Sequence, residues 1–148
     1  MIYQILHWVC RGLMAGIFLY TGYIKLESPL QFAAVLYGYR LFPDSFIMPM
    51  STYFPWIEIV LGVLFIIGWK MRFVALAACG LLGTFIVILA ITYFRGIDAN
   101  CGCFSFDDQI TPLTMVRDGM IVVPAIYLAV ELRLRVRRTS AATPTAVP

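Results

Sequence analysis

Charge is what this chain has least of. Asp, Glu, Lys and Arg make up 13% of its 148 residues, against roughly 25% in an ordinary soluble domain. A net charge of +3 is too small for the strongly basic face that nucleic acid demands, so no nucleic-acid partner is expected. The single histidine, His7, reads as a packing or interfacial residue rather than a ligand. Four cysteines are too few for a secreted disulfide scaffold. The N-terminus lacks a basic leader region, and no small-residue cleavage motif follows the first apolar run. That run is therefore expected to be retained as a membrane span.

What remains is apolar, 61% of the residues, more than a soluble domain of this size can hide. Lipid is the natural solvent. Crossing a bilayer core of about 30 Å takes about 20 apolar residues in a helix. Four runs qualify, at about 5–24, 53–69, 73–94 and 113–130. Gly12 and Gly16 offer the first span a flat packing face. Lys25, Glu27, Ser28 and Pro29 end that span. The stretch from Leu30 to Phe42 places Phe32, Val35, Leu36 and Tyr39 at helical spacing but is too short to cross. It reads as an amphipathic helix in the interface or folded back over the bundle. Pro43, Asp44, Pro49 and Ser51 mark loop and turn. Thr111 and Pro112 suit a helix N-cap and first helical position. The fold class is thus all-α, an integral membrane four-helix bundle with a short interfacial helix between spans 1 and 2. Residues 1–138 form one membrane domain. Residues 139–148, small, polar and Pro-containing, read as a disordered cytoplasmic tail.

Four spans return both termini to one side. That side holds Lys70, Arg72, Arg133, Arg135, Arg137 and Arg138; the other holds Lys25, Arg40 and Arg95, with Arg117 at its edge. Counting positive charges puts the termini in the cytoplasm. The expected location is the bacterial inner membrane, with the loop at 95–111 facing the periplasm, where disulfides persist.

That loop carries Cys101-Gly102-Cys103. A disulfide between two thiols so close closes a very small ring, and Gly102 eases it by tolerating unusual backbone angles. Strained disulfides are oxidising and labile, which suits electron exchange. A structural staple would gain little from so short a loop. Cys101 and Cys103 are therefore the candidate catalytic pair. Arg95 favours the thiolate while Asp98, Asp107 and Asp108 oppose it, so which sulfur attacks stays open. Ordinary reduced cysteines in a turn are the plainer alternative. A metal is not expected, since the loop adds only Asp98, Asn100, Asp107 and Asp108 to the two sulfurs. Helix arithmetic brings Lys25, Glu58, Arg95 and Arg117, with Asp118 beside it, to one depth. Charges at membrane depth pair, and these four are candidates for a polar floor beneath the cysteines or a site for a quinone head group. Structural pairing alone is the alternative. Cys10 and Cys79 read as small buried apolar residues.

The pattern resembles the DoxX-like membrane proteins, and within them the methylamine-utilisation MauE group. The residues that carry it are Arg11-Gly12, Phe18 through Leu26 with Pro29, Leu41-Phe42-Pro43, Pro55-Trp56-Ile57-Glu58 with Gly62, Arg95-Gly96, Asp98 through Phe104, and Arg117-Asp118. Ser105 stands where the family often has glycine. The resemblance implies a four-helix membrane protein linked to redox work. MauE-like proteins are associated with maturing periplasmic methylamine dehydrogenase, whose small subunit is rich in disulfides. DoxX-like relatives are associated with quinone-linked sulfur oxidation. The expected function is a membrane thiol–disulfide redox protein. It would exchange electrons between a periplasmic thiol or disulfide protein and a membrane quinone through Cys101 and Cys103. The alternative is a non-catalytic anchor or chaperone subunit for a periplasmic redox enzyme. Lipid is a partner in either case, and an oligomer is compatible with both.

Overall fold

The computed structural model describes residues 2–103, 106 and 109–141, and the side chains of these apart from residues 2, 3 and 132–141. Phe104, Ser105, Asp107, Asp108 and the tail from 142 to 148 lie outside the described residues, as do the side chains of the four C-terminal arginines. Five helices follow in order: α1 (Ile2–Glu27), α2 (Pro29–Gly38), α3 (Asp44–Ile67), α4 (Met71–Phe94) and α5 (Pro112–Ala141). All but α2 are long and apolar enough to cross a membrane. The protein is a multi-pass membrane protein of all-α class, and α2 is the short helix between the first two spans.

The second span begins nine residues before the expected Tyr53, at Asp44, and runs through Pro49 and Pro55. Proline costs a helix one hydrogen bond, but its fixed φ is itself helical. Packing makes good the loss. Ile47, Ser51, Pro55, Glu58, Gly62 and Phe65 form one unbroken buried stripe at three- and four-residue spacing. The turn signals at Pro49 and Ser51 are thereby overridden. At the other end of the chain, Thr111 caps α5 as its sequence suggests, its hydroxyl accepting from the Thr114 N–H at 3.2 Å.

Helix α1 packs against α3 through glycines, though not Gly12 or Gly16, whose faces are open. A Cβ on Gly22 would meet Ile59 at 2.8 Å, and one on Gly62 would meet Leu19 at 2.8 Å. Small residues let membrane helices approach closely. At the end bearing the termini, Arg11 donates to the Phe65 and Ile66 carbonyls at the C-terminus of α3. His7 pairs with Glu131 of α5 at 2.8 Å.

The interior is two apolar clusters. One, built on Met14, Phe18, Phe65, Ala75, Ala78 and Leu128, lies toward the termini; Cys10 and Cys79 pack against it. The other gathers Phe32 and Leu36 of α2 and Tyr39 just after it with Ile47, Leu89, Ala99 and Cys101. Helix α2 is therefore folded back into the bundle, where it roofs the cysteine segment. Polar side chains are set between these clusters, and they define the site.

Candidate functional site

The loop after α4 turns inward. Gly96 has a φ of +65°, and the chain then closes on itself where Asn100 bridges Gln109 and the Ile110 N–H donates to the Ala99 carbonyl at 3.1 Å. Asn100 Nδ2 donates to the Phe106 carbonyl at 2.6 Å. These bonds hold Cys101-Gly102-Cys103 against the bundle. Cys101 is fully buried, with 0% exposure, and its carbonyl accepts from the Tyr39 hydroxyl at 2.5 Å. Cys103 keeps partial exposure. Both sulfurs are free thiols. The two thiols, which the sequence leaves equivalent, are thus an unequal pair. One sulfur is sealed under α2, and the other lines an inner cavity.

Gly102 is needed twice over. Its φ is +68°, a conformation that strains any residue with a Cβ. The site of that Cβ is also 2.8 Å from Val35 Cγ1. Gly102→Ala is expected to destabilise the protein by about 1–3 kcal/mol and to expose Cys101. Thermal unfolding in detergent and the alkylation rate of Cys101 measure the two effects.

The decisive neighbour comes from α5. The Cys101 thiol donates to Asp118 Oδ2 at 3.0 Å, and the Cys103 thiol to the same oxygen at 3.3 Å. Asp118 is 4% exposed, and its other oxygen faces Arg117 Nε at 3.3 Å. Burial, then the neighbouring Cys101 and the Asp118 carboxylate, hold the Cys103 thiol above the ordinary thiol range, while Lys25 pulls the other way. The two sulfurs and the carboxylate lie within 4.8 Å of one another. That is one donor short of a closed tetrahedral set among the described residues.

Of the four charged residues placed at one depth by helix arithmetic, two meet inside. Lys25 Nζ donates to Glu58 Oε1 at 2.6 Å, both side chains buried. The ammonium also lies over the rings of Phe32 and Phe54, 5.1 and 5.4 Å from their centroids. Arg95 is exposed and reaches back to the Arg40 carbonyl at 3.5 Å. Arg117 faces outward at 43% side-chain exposure. Asp118, one residue on, takes the inward place. One cavity joins Lys25, Glu58, Cys103 and Asp118, walled by Phe18, Phe54 and Phe85 among others. Its volume is about 40 Å³, room for a water molecule or two. Ligand pockets run from roughly 300 Å³ upward, several times that volume.

A family model described as "Methylamine utilisation protein MauE" matches residues 3–131. Curated relatives of that name agree. The protein from Paracoccus versutus is 28% identical over 131 residues, covering 86% of this chain and 70% of the relative. That from Paracoccus denitrificans is 27% identical over 128 residues, covering 84% and 69%. That from Methylophilus methylotrophus is 29% identical over 107 residues, covering 71% and 54%. No solved structure matches the chain.

Proposed function

The chain belongs to the methylamine utilisation protein MauE family, and from that membership we propose that it is a membrane thiol–disulfide redox protein serving methylamine utilisation. Its partner is a periplasmic thiol or disulfide protein, such as a disulfide-rich enzyme under maturation. The observation that carries this reading is a single buried carboxylate oxygen accepting from two neighbouring thiols. The charge asymmetry of the loops supports a cytoplasmic location for the termini and a periplasmic one for the cysteine loop, in the bacterial inner membrane.

Exchange starts at Cys103, the more exposed sulfur. It gives its proton to Asp118 and attacks one sulfur of the partner's disulfide. That S–S bond breaks, a Cys103–partner bond forms, and the departing partner thiolate takes up the proton from Asp118, which is a carboxylate again. Cys101 then gives its proton to Asp118 and attacks the Cys103 sulfur. The second partner sulfur leaves and is protonated in turn. Two electrons have passed from the cysteine pair to the partner, and the pair is a disulfide. Run in reverse, the same steps oxidise a partner dithiol.

Asp118→Asn keeps the shape and removes the base. Thiol exchange is expected to slow by about 100-fold, as read by the rate at which a small disulfide reagent oxidises the purified protein. The wider test is thiol trapping in intact cells with a membrane-impermeant alkylating reagent. A change in the state of Cys101 and Cys103 with the supply of methylamine supports the reading. A pair that never changes state under any redox condition overturns it.

A second reading is favoured by a groove of about 340 Å³ beside the loop, lined by Gln31, Gly38, Asp98, Asn100 and Phe106 among others. In that reading the protein anchors or chaperones a periplasmic enzyme without electron exchange. Full function in the C101S/C103S variant selects it.

A further inference from the structure

The ion pair between α1 and α3 is not used by the exchange chemistry, yet it shares a cavity with the reacting sulfur. Lys25 and Glu58 are 3% and 4% exposed. A buried ion pair serving structure alone would be expected to satisfy its own oxygens. Here Glu58 Oε1 accepts from Lys25, while Oε2 is buried and accepts no hydrogen bond from the described residues. The cavity also holds the Asp118 and Cys103 side chains in its wall.

We infer that Lys25 is a positioning residue for the thiol chemistry, its ammonium supplying the positive charge that supports the Cys103 thiolate across the cavity, with Glu58 holding that charge in place and attenuating it. This rests on the thiol–disulfide reading above.

Among the described residues, few charged groups surround Cys103. Cys101 and Asp118 adjoin it directly, and Arg117 lies on the far oxygen of Asp118. Tyr39, at the C-terminal end of α2, interacts with both cysteines and with Asp118. Lys25 and Glu58 face it from α1 and α3. Helix α4 contributes only Leu81, Leu82, Phe85 and Ile86 to the cavity. Lys25 is thus the one cation lining the cavity among the described residues. Its charge acts on the Cys103 thiol in the direction opposite to burial, Cys101 and Asp118. In so apolar a chamber a single charge acts with little screening.

The two halves of the pair should therefore have opposite effects. Purified protein is alkylated with iodoacetamide across a pH series, and modification of the Cys103 peptide is read by mass spectrometry. In Glu58→Gln, Lys25 acts unopposed, and the pH midpoint of Cys103 alkylation falls. In K25M/E58Q, which leaves no unpaired buried charge, the midpoint rises by about one unit, a tenfold slower reaction at fixed pH below it. A merely structural pair would move both variants the same way or neither. Either result overturns the inference. If the variants react alike while Cys103 still forms mixed disulfides with a partner, the inference fails and the redox reading stands. If wild-type Cys103 never exchanges with any disulfide, the redox reading itself fails.

Discussion

Replacing Cys101 with serine leaves Cys103 covalently joined to its partner. The first half of the exchange needs only the more exposed sulfur, and the second half needs Cys101 to release it. Serine is nearly the same size and keeps a hydrogen bond to Asp118, so the pocket survives. It is a far poorer nucleophile, so the mixed disulfide accumulates. Non-reducing electrophoresis of membranes should show a higher-mass band that disappears on reduction, and mass spectrometry of that band identifies the partner. The reciprocal Cys103→Ser variant should give no such band, because its remaining thiol has 0% exposure. Equal bands from the two variants would overturn the assigned order of attack. No band from either would remove the main support for electron exchange.

The second large effect is on stability. Lys25→Met leaves Glu58 as a buried carboxylate with no donor among the described residues. Oε1 loses the 2.6 Å bond to Lys25, and Oε2 has no partner among the described residues to begin with. Removing one member of a buried ion pair costs about 3–5 kcal/mol, a large part of a total stability of about 5–15 kcal/mol. The variant is expected to unfold at a markedly lower temperature in detergent, or to fail to accumulate in membranes. K25M/E58Q should recover most of that loss, because no unpaired charge remains inside. If Lys25→Met were as stable as the parent, the pair would have to be solvated rather than buried, and the cavity would have to open to water.

Much of this architecture could be read along the chain. Hydropathy gives four spans because crossing lipid demands about 20 apolar residues whatever their neighbours are. The N-cap at Thr111 is equally local, since a hydroxyl three residues from an orphan N–H is a matter of spacing. The start of α3 was not legible. Pro49 and Ser51 are turn signals in isolation, and only the buried stripe from Ile47 to Phe65 reveals that packing outweighs them.

The site shows the same division more sharply. Two adjacent thiols in a polar loop, and buried charges at a common depth, follow from composition and from the 1.5 Å rise of a helix. Which charges face inward does not. Arg117 and Asp118 have nearly the same depth, but successive helical residues point about 100° apart, so one meets the surface and the other meets the sulfurs. Helix rotation is set by contacts far away in sequence, here by the packing of α5 on α4 and α1. The chain by itself therefore determined that this is a four-span membrane protein with a paired-cysteine loop. The tertiary structure alone decided that Asp118 serves both thiols, that Cys101 is sealed while Cys103 faces the cavity, and that Lys25 and Glu58 share it, because facing is a relation between helices and no local stretch encodes it.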